Sequence, residues 1–173
     1  MRFFVISQEV VMKIVLKTLI RRNFETVVNG FNRDLFNYLL PPSMIAKLVR
    51  YDGQQRGDFI HLRFRIPFVS DWKVVIKEVQ HTDKEYRFVD RGLKMPLGLI
   101  YWQHVHRVVS LGKDRCVIVD EMEYESAWKL QDLINYVLLF LAFYPRKFLY
   151  KKYFENKPEK ESAGTLKKNS LSG

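Results

Sequence analysis

The sequence predicts an α+β fold: a curved, seven-stranded antiparallel sheet with two short helices near its start and one long helix at its end. Three observations predict it. Apolar and polar residues alternate with a period of two near the start of the chain and again from about residue 46 to 125, as half-buried strands require. The breaks between the later strands are only a few residues long, which suits antiparallel hairpins and not parallel crossovers. After Ser126 the period becomes helical.

The first strand is read from Ile14, Leu16, Thr18 and Ile20, which alternate with Lys13, Val15, Lys17 and Leu19. Phe24, Val27, Val28 and Phe31 then have the spacing of one short amphipathic helix. Leu35, Phe36, Leu39 and Leu40 have that of a second, which Pro41 and Pro42 terminate. Turn-forming residues at 53–57, 67–70, 82–84, 94–98 and 112–114 divide the following stretch into six strands. The last helix is expected over 129–154, roughly seven turns, bent or divided at Pro145. Leu130, Leu133, Ile134, Val137, Leu138 and Leu141 fall on or near one of its sides, and this stripe is expected to cover the sheet's apolar face. A curved sheet gripping a single helix leaves a hollow, the natural place for a ligand.

Composition agrees with one domain. A chain of 173 residues, 47% hydrophobic and 14% aromatic, buries a sizeable core but is short for two domains. Residues 1–11 are expected to be an N-terminal extension, 12–154 the ligand-binding domain, and 155–173, rich in Lys, Glu, Ser and Gly, a disordered tail. The single Cys116 excludes an intrachain disulfide, and the first residues lack a signal-peptide pattern, so a cytoplasmic location is expected. The uncharged stretch 133–145 is shorter than the ~20 residues a membrane span needs. The net charge of +10 attracts nucleic acid, anionic lipid or acidic ligands without choosing among them.

The second half of the chain carries four short motifs in order: Phe88-Val89-Asp90, Trp102-Gln103-His104-Val105-His106, Asp120-Glu121-Met122-Glu123-Tyr124 and Phe143-Tyr144-Pro145-Arg146. They resemble the F-x-D, W-x-H-x-H, D-x-V-x-Y and F-x-x-R of START-like (SRPBCC) proteins, including their polyketide cyclase-like members. The resemblance implies the helix-grip fold and an apolar ligand held between sheet and helix. Where such proteins place G-P-F before the Trp, this chain has Met95-Pro96-Leu97, so the rim loop there is expected to differ in shape.

Alternation puts Trp102, His104 and His106 on one face of the sixth strand, and Asp120, Met122 and Tyr124 together on the seventh, opposite Glu121, Glu123 and Glu125. The three acids mark the solvent side, so the first sets point inward, with Asp120 as their one charged member. A buried Asp beside two His forms a hydrogen-bonded cluster. The ligand-binding residues expected are therefore Phe88, Trp102, His104, His106, Asp120, Met122 and Tyr124. No metal is expected, because H-x-H alone lacks the further ligands a metal requires. No cofactor or catalytic set is assigned either: nucleophile elbow, phosphate loop and paired-carboxylate motif are all missing.

Three functions follow from these residues. The first is a carrier or sensor of a lipid-like or polycyclic apolar small molecule. The second, which the resemblance implies, is a polyketide cyclase or dehydratase-like enzyme. The third is a basic nucleic-acid or membrane-surface binder. Specific nucleic-acid binding is not expected, because the outer cations Arg63, Arg65, Lys73, Lys77, Arg87 and Arg107 are interleaved with one stacking ring, Tyr101. Transient contact with an anionic membrane is expected at Phe148, Tyr150, Tyr153 and Phe154, which mix with Arg146, Lys147, Lys151 and Lys152.

Overall fold

A computed structural model describes residues 11–65 and 68–156. The expectations for residues 1–10 and 157–173 lie outside the described residues. Seven strands form one antiparallel sheet: β1 (Met12–Ile20), β2 (Ala46–Tyr51), β3 (Phe59–Phe64), β4 (Ser70–His81), β5 (Glu85–Lys94), β6 (Leu99–Ser110) and β7 (Cys116–Ser126), in the order β1-β7-β6-β5-β4-β3-β2. The helices are α1 (Phe24–Gly30), α2 (Arg33–Leu39), α3 (Lys129–Phe143) and α4 (Arg146–Glu155).

The β1-to-β2 connection joins the two edges of the sheet through α1 and α2. Each of these helices is started by an asparagine. Asn23 Oδ1 accepts from Thr26 N at 2.7 Å, and Asn32 Oδ1 accepts from Asp34 N at 2.9 Å and Leu35 N at 3.2 Å, so backbone donors that a helix start leaves bare are satisfied.

The last helix is divided in two, as Pro145 predicts, since its ring removes a backbone donor and crowds the preceding turn. α3 packs on β7 and β1, whereas α4 packs on β1 and α2. Tyr150, Tyr153 and Phe154 point into the core, where Phe31 stacks between Tyr150 and Phe154. The aromatic and basic mixture expected to meet a membrane is therefore split: of its four rings only Phe148 stands out in solvent.

The side of α3 that meets the sheet is not the one expected. Asp132, Asn135, Leu139 and Phe143, three or four positions apart, are its buried residues. Leu130, Leu133 and Leu141 are 72%, 60% and 63% exposed, and Ile134, Val137 and Leu138 are exposed with them. Hydrogen bonding explains the inversion. Asp132 Oδ1 accepts from Ser126 N at 2.6 Å, and Asn135 Nδ2 donates to Ser126 Oγ and to Leu97 O, both at 2.9 Å. These polar side chains supply hydrogen-bond partners to backbone groups at the end of β7 and in the loop before β6. Leu97 needs that support. Its φ of 61° lies in the left-handed region, uncommon outside glycine, and its carbonyl accepts a second amide, Gln131 Nε2 at 2.7 Å. This is the rim loop in which Met95-Pro96-Leu97 departs from the familiar pattern.

A bulge at Lys77 interrupts the alternation of β4, which by itself places Val79 on the outer face with Lys73, Val75 and Lys77. Ile76 pairs with Asp90 and Glu78 with Val89, so Val79, paired with Phe88, packs against the core and not on the outer face. On that outer face several of the cations meet acids: Arg63 and Lys94 meet Asp71, Arg87 meets Glu78, Arg107 meets Glu85, and Lys13 meets Glu121 and Glu123.

Candidate functional site

Because α3 and α4 press on the β1 and β7 side, the concave face of β3 to β6 is left uncovered, and a cavity of about 820 Å³ opens there. The volume lies in the range of small-molecule sites. Its wall is mainly apolar and aromatic, with Phe31 before α2, Leu62 of β3, Trp72 of β4, Phe88 of β5, Trp102 of β6 and Leu139 of α3 among the lining. Leu138, Leu141 and Ala142 also line it from the exposed side of α3, so the cavity mouth runs into that helix's outward apolar stripe.

The polar exception is built across three strands. Register sets Asp90 opposite His104 and His106 opposite Asp120, and all four side chains project to the concave face. The closest hydrogen bonds run along the diagonals: His106 Nε2 to Asp90 Oδ2 at 3.2 Å and His104 Nε2 to Asp120 Oδ1 at 3.1 Å. The two imidazoles lie 3.7 Å apart between ring centres, and Phe88 stacks on the outer side of His106 at 4.3 Å. Trp102 Nε1 donates to Asp90 Oδ1 at 2.9 Å, and Tyr150 reaches Asp120 Oδ1 with its hydroxyl at 3.4 Å.

Burial and mutual charge set the protonation of this group. Burial disfavours a charged Asp120, but the hydrogen bonds and charges of His104 and His106 outweigh it and hold the carboxyl well below the usual carboxylate range. Burial, with the neighbouring His106, pushes the His104 imidazole down. For His106 the burial penalty is exceeded by Asp120 and Asp90, which push it up. Burial beside the Asp120 charge raises the Tyr150 hydroxyl well above its ordinary value.

Of the residues expected from the sequence, Phe88, Trp102, His104 and His106 lie on the cavity wall. Asp120 lies behind the two His and is not on the wall. Met122 and Tyr124 share the inward face but not the cavity: Met122 is fully buried between Ile14 and His104 of the neighbouring strands, and Tyr124 donates from its hydroxyl to Asp132 O at 2.9 Å beneath α3. The helices that cover β7 account for both. Sequence reasoning missed Asp90, the second buried carboxylate. Carrying the alternation of Tyr86 and Phe88 two residues further places it. It also missed Tyr150 and Arg146. Arg146 lines the cavity with its guanidinium 4.1 Å from the Phe143 ring centre and its buried Nε without a hydrogen-bond partner.

No family model matches the chain, and no curated protein matches it. Solved structures do. Norcoclaurine synthase from Thalictrum flavum, in complex with dopamine and hydroxybenzaldehyde, superimposes with a TM-score of 0.65 at 17% identity, over 87% of this chain and 90% of that one. The Zhui aromatase/cyclase from Streptomyces sp. R1128 gives 0.61 at 8% identity, over 84% and 94%. The fold is the helix-grip. Major latex-like protein 151 from Panax ginseng shares it as well, with a TM-score of 0.56 at 16% identity, over 80% and 95% of the two chains. At such identities the helix-grip likeness establishes architecture, and function is argued from this chain's own site. Among the described residues, no helix is long and apolar enough to cross a membrane.

Proposed function

We propose that this protein is a cytoplasmic carrier or sensor that binds an apolar small molecule, lipid-like or polycyclic, in the cavity between sheet and helices. The observation that carries the reading is the wall itself: a cavity of about 820 Å³ with mainly apolar and aromatic lining, in which Asp90, His104, His106 and the cation Arg146 stand with a few further polar residues such as Gln54 and Ser70. Such a wall selects by shape and volume, and its few polar groups orient one end of the ligand. The mouth beside the exposed apolar side of α3 supports uptake from an anionic bilayer, toward which the net charge of +10 steers the protein.

Native mass spectrometry of freshly purified protein tests the binding. An added small-molecule mass is expected, and it is lost in Val74→Trp, which fills the wall without touching the polar cluster. A native protein that carries no such mass and binds no apolar fluorescent probe removes the reading. The cyclase or dehydratase-like alternative draws on a separate observation, that two imidazoles face a mainly apolar cavity where an acid and a base would act on a bound carbonyl compound. It replaces the carrier reading if a bound compound is turned over and turnover, but not binding, disappears in His104→Ala.

A further inference from the structure

We propose that Asp90, His104 and His106 are the protein ligands of a divalent metal ion of the zinc class, held where the polar cluster meets the cavity. The sequence alone offers H-x-H and no third group; register supplies it by setting Asp90 of β5 beside both imidazoles of β6. One donor atom from each of the three residues lies within 4.8 Å of the others. His106 Nε2 and His104 Nδ1 stand 3.2 Å and 3.7 Å from the same oxygen, Asp90 Oδ2. Donors about 2.1 Å from a tetrahedral cation are roughly 3.4 Å apart, so these two separations bracket what a zinc-class ion needs.

The surrounding groups hold the donors in the orientation that ligation requires. Asp120 Oδ1 lies 3.1 Å from His104 Nε2 and 3.2 Å from His106 Nδ1, the nitrogens that do not face Asp90 Oδ2 most closely in their own rings. With His104 donating from Nε2 to Asp120, its Nδ1 lone pair is turned to Asp90. Asp120 thus backs His104 through a hydrogen bond, the arrangement that fixes ring and tautomer in metal-binding histidines, and lies beside His106 Nδ1, which has no hydrogen-bond partner of its own. On the other side, the Trp102 indole occupies Asp90 Oδ1 at 2.9 Å and leaves Oδ2 for the ion. A dication with two neutral imidazoles balances both buried carboxylates, a balance otherwise left to protons on the rings.

Asp90, His104 and His106 line the cavity and Asp120 does not, so the fourth position of the ion opens onto the cavity. Three protein ligands and one open position describe a site that takes a water or a ligand oxygen, not a closed structural site. The ion itself rests on the side chains alone; only an oxygen of the apolar ligand as its fourth donor rests on the reading above.

Chelator-treated protein titrated with Zn²⁺ by calorimetry, and with Co²⁺ by visible absorption, tests the site. One ion per chain and the absorption of a tetrahedral Co²⁺ centre are expected. Asp90→Asn and His104→Ala, each shown folded by a cooperative melt, should abolish stoichiometric binding. Asp120→Asn keeps all three ligands and should weaken affinity by about 10 to 100-fold. His81→Ala, outside the cluster, should bind as the parent does. Absence of stoichiometric binding by the folded parent overturns the proposal, as does unchanged binding in folded Asp90→Asn and His104→Ala. Metal binding by a protein that carries no small-molecule mass and binds no apolar fluorescent probe sustains the ion and removes the ligand reading; the reverse result removes the ion alone.

Discussion

The concave face of β5 to β7 and the outer side of α3 break the same rule in opposite directions. The sheet buries two carboxylates and two imidazoles, while the helix turns Leu130, Leu133, Ile134, Val137, Leu138 and Leu141 to solvent and sets Asp132 and Asn135 inside. Polar side chains inside a protein are tolerated when they find partners, and each of these makes at least one hydrogen bond. Apolar groups outside have no such local remedy; a continuous apolar surface marks a place where something else is met. The buried region therefore should govern stability and the exposed region association.

The largest test of that division is alkali. Tyr51 and Cys116 are pushed up to about 12 by burial, and Tyr124 to about 12 by burial and the neighbouring Asp132 charge. A folded-state value raised above the unfolded one, near 9 for the thiol and 10 for the phenols, gives stability that is complete below the unfolded value. It is lost as pH rises through the folded value. Melting temperature should thus hold to about pH 9 and fall steeply toward pH 12, ending in cooperative loss of the fold. Cys116, fully buried, should react with a thiol reagent only along that same transition. Thiol labelling at pH 8 that runs ahead of unfolding would place Cys116, and the core around it, at the surface.

A smaller effect is expected where the two regions join. Asn135→Ala removes hydrogen bonds to Leu97 O and Ser126 Oγ, while Gln131 still holds the Leu97 carbonyl. Two lost bonds with one buried hydroxyl left bare cost about 2 kcal/mol, a fall of roughly 4–8 °C in melting temperature for a chain of this size. A change within 1 °C would mean that the inward polar side of α3 does not hold the helix in register.

These regions also mark where sequence was legible. Alternation read the inward faces of β6 and β7 because Glu121, Glu123 and Glu125 label the other side unambiguously. The same rule reaches Asp90, but a carboxylate at an inward position runs against expectation until its partners are known, and those partners come from other strands. Lys77 puts Val79 on the unexpected face because a bulge adds a residue to one strand, and nothing in the local pattern announces it. The side of α3 was misread for a more general reason. A hydrophobic stripe says which side avoids water, not what it avoids water with. The choice was made by Asp132 and Asn135, through backbone groups of Ser126, at the end of the preceding strand, and of Leu97, distant in sequence.

The smallest stability effect and the sharpest functional one should come from the same variant. Leu133→Lys with Val137→Lys places two charges one helical turn apart on the outward side of α3, away from both the cavity lining and the buried residues Asp132, Asn135, Leu139 and Phe143. Leu133 and Val137 are 60% and 52% exposed, so little apolar burial is lost and the melting temperature should stay within about 2 °C. Lysine is also a better helix former than valine, which favours the folded helix slightly. If this stripe carries the protein to a bilayer, the parent should sediment with anionic vesicles at low salt and less at moderate salt. The double variant should lose the part of that binding that resists salt, because added positive charge strengthens the screened attraction while apolar insertion is removed. Vesicle binding that is equal in parent and variant, or absent from both, would separate the exposed stripe from membranes. Sedimentation of the parent as a dimer, and of the variant as a monomer, would assign the stripe to a second copy of the chain instead.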